Sequence, residues 1–408
     1  MNADRRWQPA LALVLLAAAG TFALTMGTRQ TMGLFLGNLN TATGLGIASI
    51  SLAFAFGQLW WGLTQPFAGA LADRHGAAPV LVVGCCLVAL GTVLTPMMTT
   101  TGGLILAIGV LSAGGAGMAG PSVLMAATTR LVPADKRGLA TGVVNAGGSF
   151  GQFALAPVAA LLITGVGWMS AMQVLGLLVL LALPAAWVLR GTSAPAGSAP
   201  VAPPLPVKQA LRQALALPGF RLLAAGFFVC GFHVAFLATH LPGLVAQCGL
   251  STQVAAWSLA LLGLFNIVGS LAMGWAVGRW RMKSLLALVY TVRGVAVLLF
   301  LLAPKTALVM LVFSAVMGVT FLSTVPPTAG LVAKFFGPAN MAMLFGVVML
   351  THQIGGFLGA WLGGQVFAAT QAYDLVLWAD AALAFAAALI HLPIREAAPR
   401  PRVLQATT

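Results

Sequence analysis

Apolar residues occur along this chain in twelve runs of roughly 20 or more residues, and short polar segments separate the runs. A run of that length crosses a hydrocarbon core of about 30 Å as an α-helix. The strands of a membrane barrel would alternate polar and apolar residues instead. The pattern therefore predicts an all-α membrane protein with spans at about residues 10–36, 46–71, 79–98, 104–128, 139–164, 169–189, 221–246, 253–276, 284–303, 306–332, 341–367 and 374–393.

The composition supports this fold class. Of 408 residues, 60% are hydrophobic and 6% are charged, whereas soluble domains are about 45–50% apolar and about 25% charged. The first residues, "MNADRRWQPALALVLLAAAG", are similar to a signal peptide. Their apolar run continues to about Leu36, which is too long for one, so we expect an uncleaved first helix.

The halves of the chain repeat each other. Gly27 and Gly231 lie 204 residues apart, and the same offset relates Gly151 to Gly355. A constant offset over distant spans predicts a parallel duplication of a six-helix unit. We expect a six-helix bundle at residues 1–190, a linker at 191–220, a second bundle at 221–396 and a tail at 397–408.

The linker is rich in Pro, Ala, Gly and Ser, and a short basic amphipathic helix from Val207 to Leu217 is predicted near its end. The net charge of +14 would suit nucleic acid, but the basic residues lie in short loops between spans. With the N-terminus inside, 17 of the 20 Lys and Arg residues fall in inside segments. Cytoplasmic retention of basic residues explains this pattern. We therefore expect a multi-pass protein of the cytoplasmic (inner) membrane with both ends cytoplasmic and no nucleic-acid partner.

The segment "GALADRHGAAPVL" follows the second span and contains Asp73 and Arg74. It resembles the glycine-x-x-x-Asp-Arg-x-Gly loop signature of the major facilitator superfamily. The second half has a degenerate copy, "GWAVGRWRMK", in which Arg279 corresponds to Arg74. Two six-helix halves joined by a cytoplasmic linker are also the plan of that superfamily. The resemblance implies that Asp73, Arg74 and Arg279 latch the halves rather than contact substrate. A Gly69 in the signature permits a close helix approach.

Within that superfamily, "GTRQTMGLFL", "CGFHVAFLATHLP" and "THQIGGFLGAWLGG" look like bacterial relatives of the monocarboxylate transporters and the oxalate–formate exchangers. This resemblance implies small organic anions as substrates, often moved with a proton. The chain departs from the monocarboxylate branch in two places. Met26 stands where that branch has an acidic residue, and the eighth span has no charged residue.

Arg29, with Gln30 beside it, lies within the first span. A charge at membrane depth costs from about 2.5 to over 10 kcal/mol, so it needs a pair, water or an anionic ligand. Its repeat mate, 204 residues later, is His233. The resemblance implies that the first and seventh helices both line a central cavity. We expect Arg29 and His233 to face each other there, with Arg29 binding a carboxylate. A structural Arg29, snorkelling or capped by backbone, is the alternative.

Three further positions carry polar groups inside spans. His352, with Gln353 beside it, lies midway along the eleventh span, and a substrate contact competes there with a packing role. Arg293 and Asp380 lie at similar depths in the ninth and twelfth spans, which predicts a structural ion pair between them. Proton coupling through Asp380 is the alternative.

The four cysteines show no metal-ligand spacing, and no nucleotide or HExxH motif appears. We therefore expect no metal, no cofactor and no enzyme activity. The sequence predicts a secondary transporter that moves a small organic anion, a monocarboxylate first, by alternating access as a monomer. A proton gradient or anion exchange would supply the energy. Polyspecific efflux of apolar or cationic compounds and a non-transporting sensor are the alternatives.

Overall fold

The computed structural model describes residues 11–131, 137–190 and 207–396. Within these residues the chain is helical without strands, and twelve helices are long and apolar enough to cross a membrane. The predicted all-α fold is therefore confirmed. In chain order, α1 to α12 are Leu11–Thr43, Ile47–Ala72, Ala77–Met97, Thr101–Thr128, Ala140–Val166, Trp168–Val188, Pro218–Gln247, Thr252–Val277, Met282–Leu302, Ala307–Phe336, Met343–Thr370 and Asp374–His391.

The span boundaries agree with the prediction within four residues, except at the end of α1. There the helix tightens to a 3₁₀ turn at Met32–Phe35 and continues as Leu36–Thr43. It ends where Gly44 adopts a left-handed conformation with φ of 64°, the common glycine stop of helices. The polar residues near Asn40 lower the hydropathy of this last segment, so apolarity alone ended the predicted span too early.

The predicted amphipathic helix of the linker is present at Val207–Ala216. A second connection differs from the expected loop. The helix that begins at Val325 continues without a break to Thr370 and so joins α10 to α11.

The α10 span is interrupted in its middle. Its first helix ends at Thr320, and the next begins at Val325, directly before Pro326 and Pro327. Proline has no backbone N–H to donate and crowds the preceding turn. Carbonyl groups at the break are therefore free for other donors.

Glycines bring the helices of each half into close contact. Gly151 of α5 packs on α1, where an added Cβ would overlap the Ala23 carbonyl. Gly355 of α11 packs in the same way on the Phe228 carbonyl of α7. The two glycine-rich spans thus serve as helix-packing surfaces.

Candidate functional site

A cavity lies between α1, α2 and α4 on one side and α7 on the other. It is partly open to solvent and has a volume of about 40 Å³, so in this conformation it is narrower than the roughly 300–1,000 Å³ of most small-molecule sites. Residues of both halves line it: Arg29, Gln30, Met32, Gly33, Phe54, Gly57, Gln58, Ile108, Ser112, Ala113, Ala235, Ala238 and Thr239.

Arg29 is the charged residue of this lining, and it is half-buried. Its Nη2 donates a hydrogen bond to Gln58 Oε1, and its guanidinium lies 4.9 Å from the ring centre of Trp61. Both neighbours are neutral. Among the described side chains, the ion pairs are His233–Asp380 and Lys334–Glu396, so the Arg29 charge has no acidic partner there.

A chain of amides extends from Arg29 into the other half. Gln58 of α2 donates through Nε2 to Gln353 Oε1 of α11 at 2.9 Å. Each amide lies over a glycine of the facing helix. An added Cβ on Gly356 would be 2.7 Å from Gln58 Cγ, and one on Gly62 would overlap Gln353. This reciprocal packing holds both amides in place.

Two further donors near the guanidinium have no acceptor. Trp61 Nε1 and Gln353 Nε2 are buried and form no hydrogen bond. Buried polar groups are normally satisfied, so unsatisfied ones need an explanation. A positive charge and two free N–H groups at one interface form a site suited to an anion with several acceptor oxygens.

Gln30 is buried in the cavity wall beside Arg29, and its role in substrate binding stays a prediction. Gln353 joins the site through Gln58. Gln58 and Trp61 were not predicted as site residues, although Gln58 is detectable in the sequence as an isolated polar residue within the apolar second span, "AFAFGQLWWGL".

The expectation that His233 faces Arg29 across the cavity is wrong. The α7 helix presents Ala235, Ala238 and Thr239 to the cavity. At about 100° per residue, those positions lie roughly 140° to 240° around the helix from His233. His233 therefore points into the C-terminal half, where its Nε2 is 3.2 Å from Asp380 Oδ1.

The predicted Arg293–Asp380 ion pair is likewise not formed. Arg293 donates through Nη2 to the carbonyl oxygens of Thr320 and Phe321, the second at 2.7 Å. These are the carbonyls that the break in α10 leaves free, and the C-terminal end of a helix attracts a cation. Backbone carbonyls therefore bind Nη2 of Arg293, while its Nε has no hydrogen-bond partner among the described residues. Asp380 pairs with His233 instead.

His352 is buried within the C-terminal half. Its ring centre is 4.9 Å from that of Phe227, and its Nδ1 is buried without a hydrogen bond among the described residues. It is not part of the cavity lining. The adjacent residues His352 and Gln353 of α11 thus lie in different environments, because Gln353 points to the interface between the halves.

The predicted latch residues lie near one end of the bundle, which we call the basic end because Arg74, Arg279 and Lys334 lie there. Arg74 is exposed. Arg279 is exposed, donates to the Trp275 carbonyl at 3.0 Å and stacks on the same residue. The side chain of Asp73 lies outside the described residues. The latch remains a prediction.

The two halves are in close contact at the end opposite the basic end. Toward the opposite end, an added Cβ on Gly364 of α11 would overlap Ser51 of α2. Near the basic end, four glycines on α2, α5, α8 and α11 have no atom within 4 Å of an added Cβ: Gly69, Gly142, Gly274 and Gly346. Gly69 therefore makes no close helix approach in this conformation.

Twelve helices long and apolar enough to cross a membrane, with a cavity between the halves, are typical of a polytopic membrane protein. The family model described as "Major Facilitator Superfamily" matches residues 11–360 and 242–407. The chain belongs to that superfamily, as its motifs indicated. Its matched relatives are transporters, not enzymes.

Several known proteins are similar over most of the chain. Monocarboxylate transporter 13 of Rattus norvegicus is 27% identical, covering 93% of this chain and 88% of the relative. The 4-hydroxybenzoate transporter PcaK of Pseudomonas aeruginosa is 28% identical over 79% of each chain. Among solved structures, a bacterial homologue of the human lysosomal transporter Spinster has a TM-score of 0.77 at 16% identity, covering 94% of this chain and 96% of that one. This likeness shows the fold.

Proposed function

We propose that this transporter moves a small organic anion, preferably a monocarboxylate, and that Arg29 binds the carboxylate. The observation that carries the proposal is the half-buried Arg29 beside the cavity, without an acidic partner among the described residues. A guanidinium stays charged at any physiological pH and pairs with both oxygens of a carboxylate.

The energetics favour an anionic ligand. A charge in the membrane interior costs at least about 2.5 kcal/mol, and a neutral partner such as Gln58 offsets only part of that cost. A bound carboxylate would supply the missing charge. Trp61 Nε1 and Gln353 Nε2, which lack acceptors, lie on the neighbours of Arg29 and Gln58. The apolar wall formed by Met32, Phe54 and Ile108 suits the organic part of such a substrate.

The relatives support the same substrate class. Two of them are named for organic acids, a monocarboxylate transporter and a 4-hydroxybenzoate transporter. Their low identity leaves room for a different acid, which is why the substrate is proposed as a class.

Transport would proceed by alternating access. The close contacts at one end and the open glycines at the basic end support a conformation that is open at the basic end. Basic residues favour the cytoplasmic side, so we assign the basic end to the cytoplasm and both chain ends with it, in the inner membrane. Asp73, Arg74 and Arg279 would then latch two bundles, residues 1–190 and 221–396, when that end closes. The working unit would be a monomer, driven by a proton gradient or by anion exchange.

Counterflow in proteoliposomes tests this proposal. Vesicles are preloaded with unlabelled lactate, pyruvate or 4-hydroxybenzoate, and entry of the matching labelled acid is followed. We expect a transient overshoot for at least one acid and its loss in Arg29→Gln. The matched control is Arg190→Gln, because Arg190 also stacks on a tryptophan, at 3.7 Å from Trp187, but is exposed.

Two results would contradict the proposal. Folded wild-type protein that shows counterflow of cationic or apolar compounds and none of carboxylates would make it an efflux carrier. Binding of a carboxylate without any counterflow would make it a sensor.

A further inference from the structure

A cluster of buried ionisable side chains lies inside the C-terminal half, away from the cavity. At its centre, His233 Nε2 of α7 is 3.2 Å from Asp380 Oδ1 of α12, and both side chains are 1% exposed. A carboxyl group and an imidazole are both proton acceptors, and an ionised group buried in this way is costly unless it is paired.

The pair lacks the hydrogen bonds that a purely structural pair would have. Both oxygens of Asp380 and both ring nitrogens of His233 are without a hydrogen-bond partner in the described chain. The two groups are thus close enough to attract each other but poorly aligned. Native proteins seldom leave four buried polar atoms unsatisfied at one place, so this arrangement calls for a function.

The charged and titratable groups around the pair make contacts elsewhere, although Arg293 Nε and His352 Nδ1 are buried without a hydrogen bond among the described residues. From α9, Tyr290 donates to the Gly226 carbonyl at 2.5 Å, and Arg293 donates to backbone at the α10 break. On α7, the Cys230 sulfur lies 3.0 Å from Thr324 Oγ1 and accepts a hydrogen bond from Arg293 Nη1 at 3.5 Å. On α12, the His391 ring contacts the Ala387 carbonyl of its own helix at 2.6 Å, and on α11 the His352 ring packs on that of Phe227.

A continuous set of contacts connects this cluster to the interface between the halves. Arg293 holds the Thr320 and Phe321 carbonyls at the α10 break. The next residue, Leu322, donates its N–H to Asn266 Oδ1 of α8 at 3.0 Å. Asn266 Nδ2 in turn donates to Ser149 Oγ of α5, in the other half, at 2.8 Å. The break in α10 thus lies between Arg293 and a hydrogen bond that joins the halves.

We propose that the His233–Asp380 pair binds the proton that this transporter moves together with its anion, an assignment that rests on the proposed function. One proton passes from water to the pair on one side of the membrane and returns to water on the other. With the pair deprotonated, the Asp380 carboxylate offsets the Arg293 charge. With the proton bound, that offset is lost, and Arg293 holds the α10 carbonyls more strongly. The position of the break, and with it the Asn266–Ser149 contact, then differs between the two protonation states.

The test separates exchange of substrate from movement of protons. Proteoliposomes carry a lumenal pH dye, and the acid that gives the largest counterflow serves as the probe. One measurement is counterflow at equal pH. The others are acidification of the lumen during net uptake and accumulation driven by an imposed proton gradient. The variants are Asp380→Asn, His233→Gln and the double variant. The double variant removes both ionisable groups, so neither is left buried without its partner. The control is Asp374→Asn, because Asp374 lies on the same helix but is exposed.

In the wild type and in Asp374→Asn we expect lumenal acidification and accumulation above equilibrium. In the three pair variants we expect counterflow to persist, while acidification falls at least tenfold and accumulation stops at the equilibrium value. Wild-type counterflow without proton movement would overturn the proton assignment and leave the proposed function standing. Proton movement that persists in a folded pair variant would also overturn it. Loss of folded protein in all three variants would assign the pair to stability and overturn it as well. No counterflow in the wild type would refute both proposals.

Discussion

Substitution of Gly33 by alanine should push the two halves apart at the end opposite the basic end. Gly33 of α1 lies against the backbone of α7, and an added Cβ would be 2.5 Å from the Ala238 carbonyl oxygen and 2.9 Å from that of Thr239. Ordinary contact begins at 3.4 Å. The obstacle is backbone, which no change of rotamer can move, so the helices must separate by about 1 Å.

The expected energy follows from this overlap. Overpacking a close contact costs about 1–3 kcal/mol, and here the cost falls on the conformation in which α1 and α7 touch. A conformation that opens this end escapes it. At 1.4 kcal/mol per factor of ten, the equilibrium should shift toward that conformation by about 5- to 150-fold. The matched control is Gly37→Ala, four residues along the same helix, where no atom lies within 4 Å.

Distances between spin labels at the ends of α1 and α7 measure the shift. Labels are placed at Ala42→Cys and Ala246→Cys, which are both exposed. Cys86 and Cys248 are replaced by serine, since the other two thiols are buried. We expect Gly33→Ala to increase the population with the longer distance. An unchanged distance distribution in folded Gly33→Ala, or an equal change in Gly37→Ala, would show that the added Cβ does not drive α1 and α7 apart.

Two further predictions concern stability. Arg293→Met should remove the donor for two backbone carbonyls at the α10 break, which should lower the free energy of unfolding by about 2–4 kcal/mol and so lower the thermal midpoint. Arg279→Met, at an exposed position, should leave the midpoint unchanged, and equal midpoints for the two variants would contradict the role of Arg293. Gly151→Ala should destabilise the folded protein by about 1–3 kcal/mol, because the added Cβ would overlap the Ala23 carbonyl, whereas Gly165→Ala, with open space around it, should not. Thermal unfolding followed by fluorescence compares the two variants, and a Gly151→Ala protein as stable as wild type would show that α1 and α5 can separate freely.

The sequence predicts the fold well because the length of each apolar run is set by membrane thickness. It also identifies Arg29, because an always-charged group in a chain with six acidic residues has few partners. It does not predict which side chains meet. The repeat related Arg29 to His233, but equivalence along the chain does not fix which way a helix face points. Arg293 donates to backbone carbonyls at a helix break instead of pairing with Asp380. The similar depths of the two residues along their spans do not indicate that these carbonyls compete with Asp380 for the guanidinium.

The role of Arg29 as the carboxylate-binding residue is tested most directly by the half-saturating concentration of the transported acid in counterflow, compared between wild type and Arg29→Lys. Both side chains carry the charge, but lysine lacks the planar pair of donors that grips both oxygens of a carboxylate. Loss of one charge-assisted hydrogen bond of about 1.5–3 kcal/mol should raise the half-saturating concentration by about 10- to 150-fold. Arg190→Lys should leave it unchanged. A half-saturating concentration that is the same in folded Arg29→Lys and wild type would contradict the assignment of Arg29 as the carboxylate-binding residue.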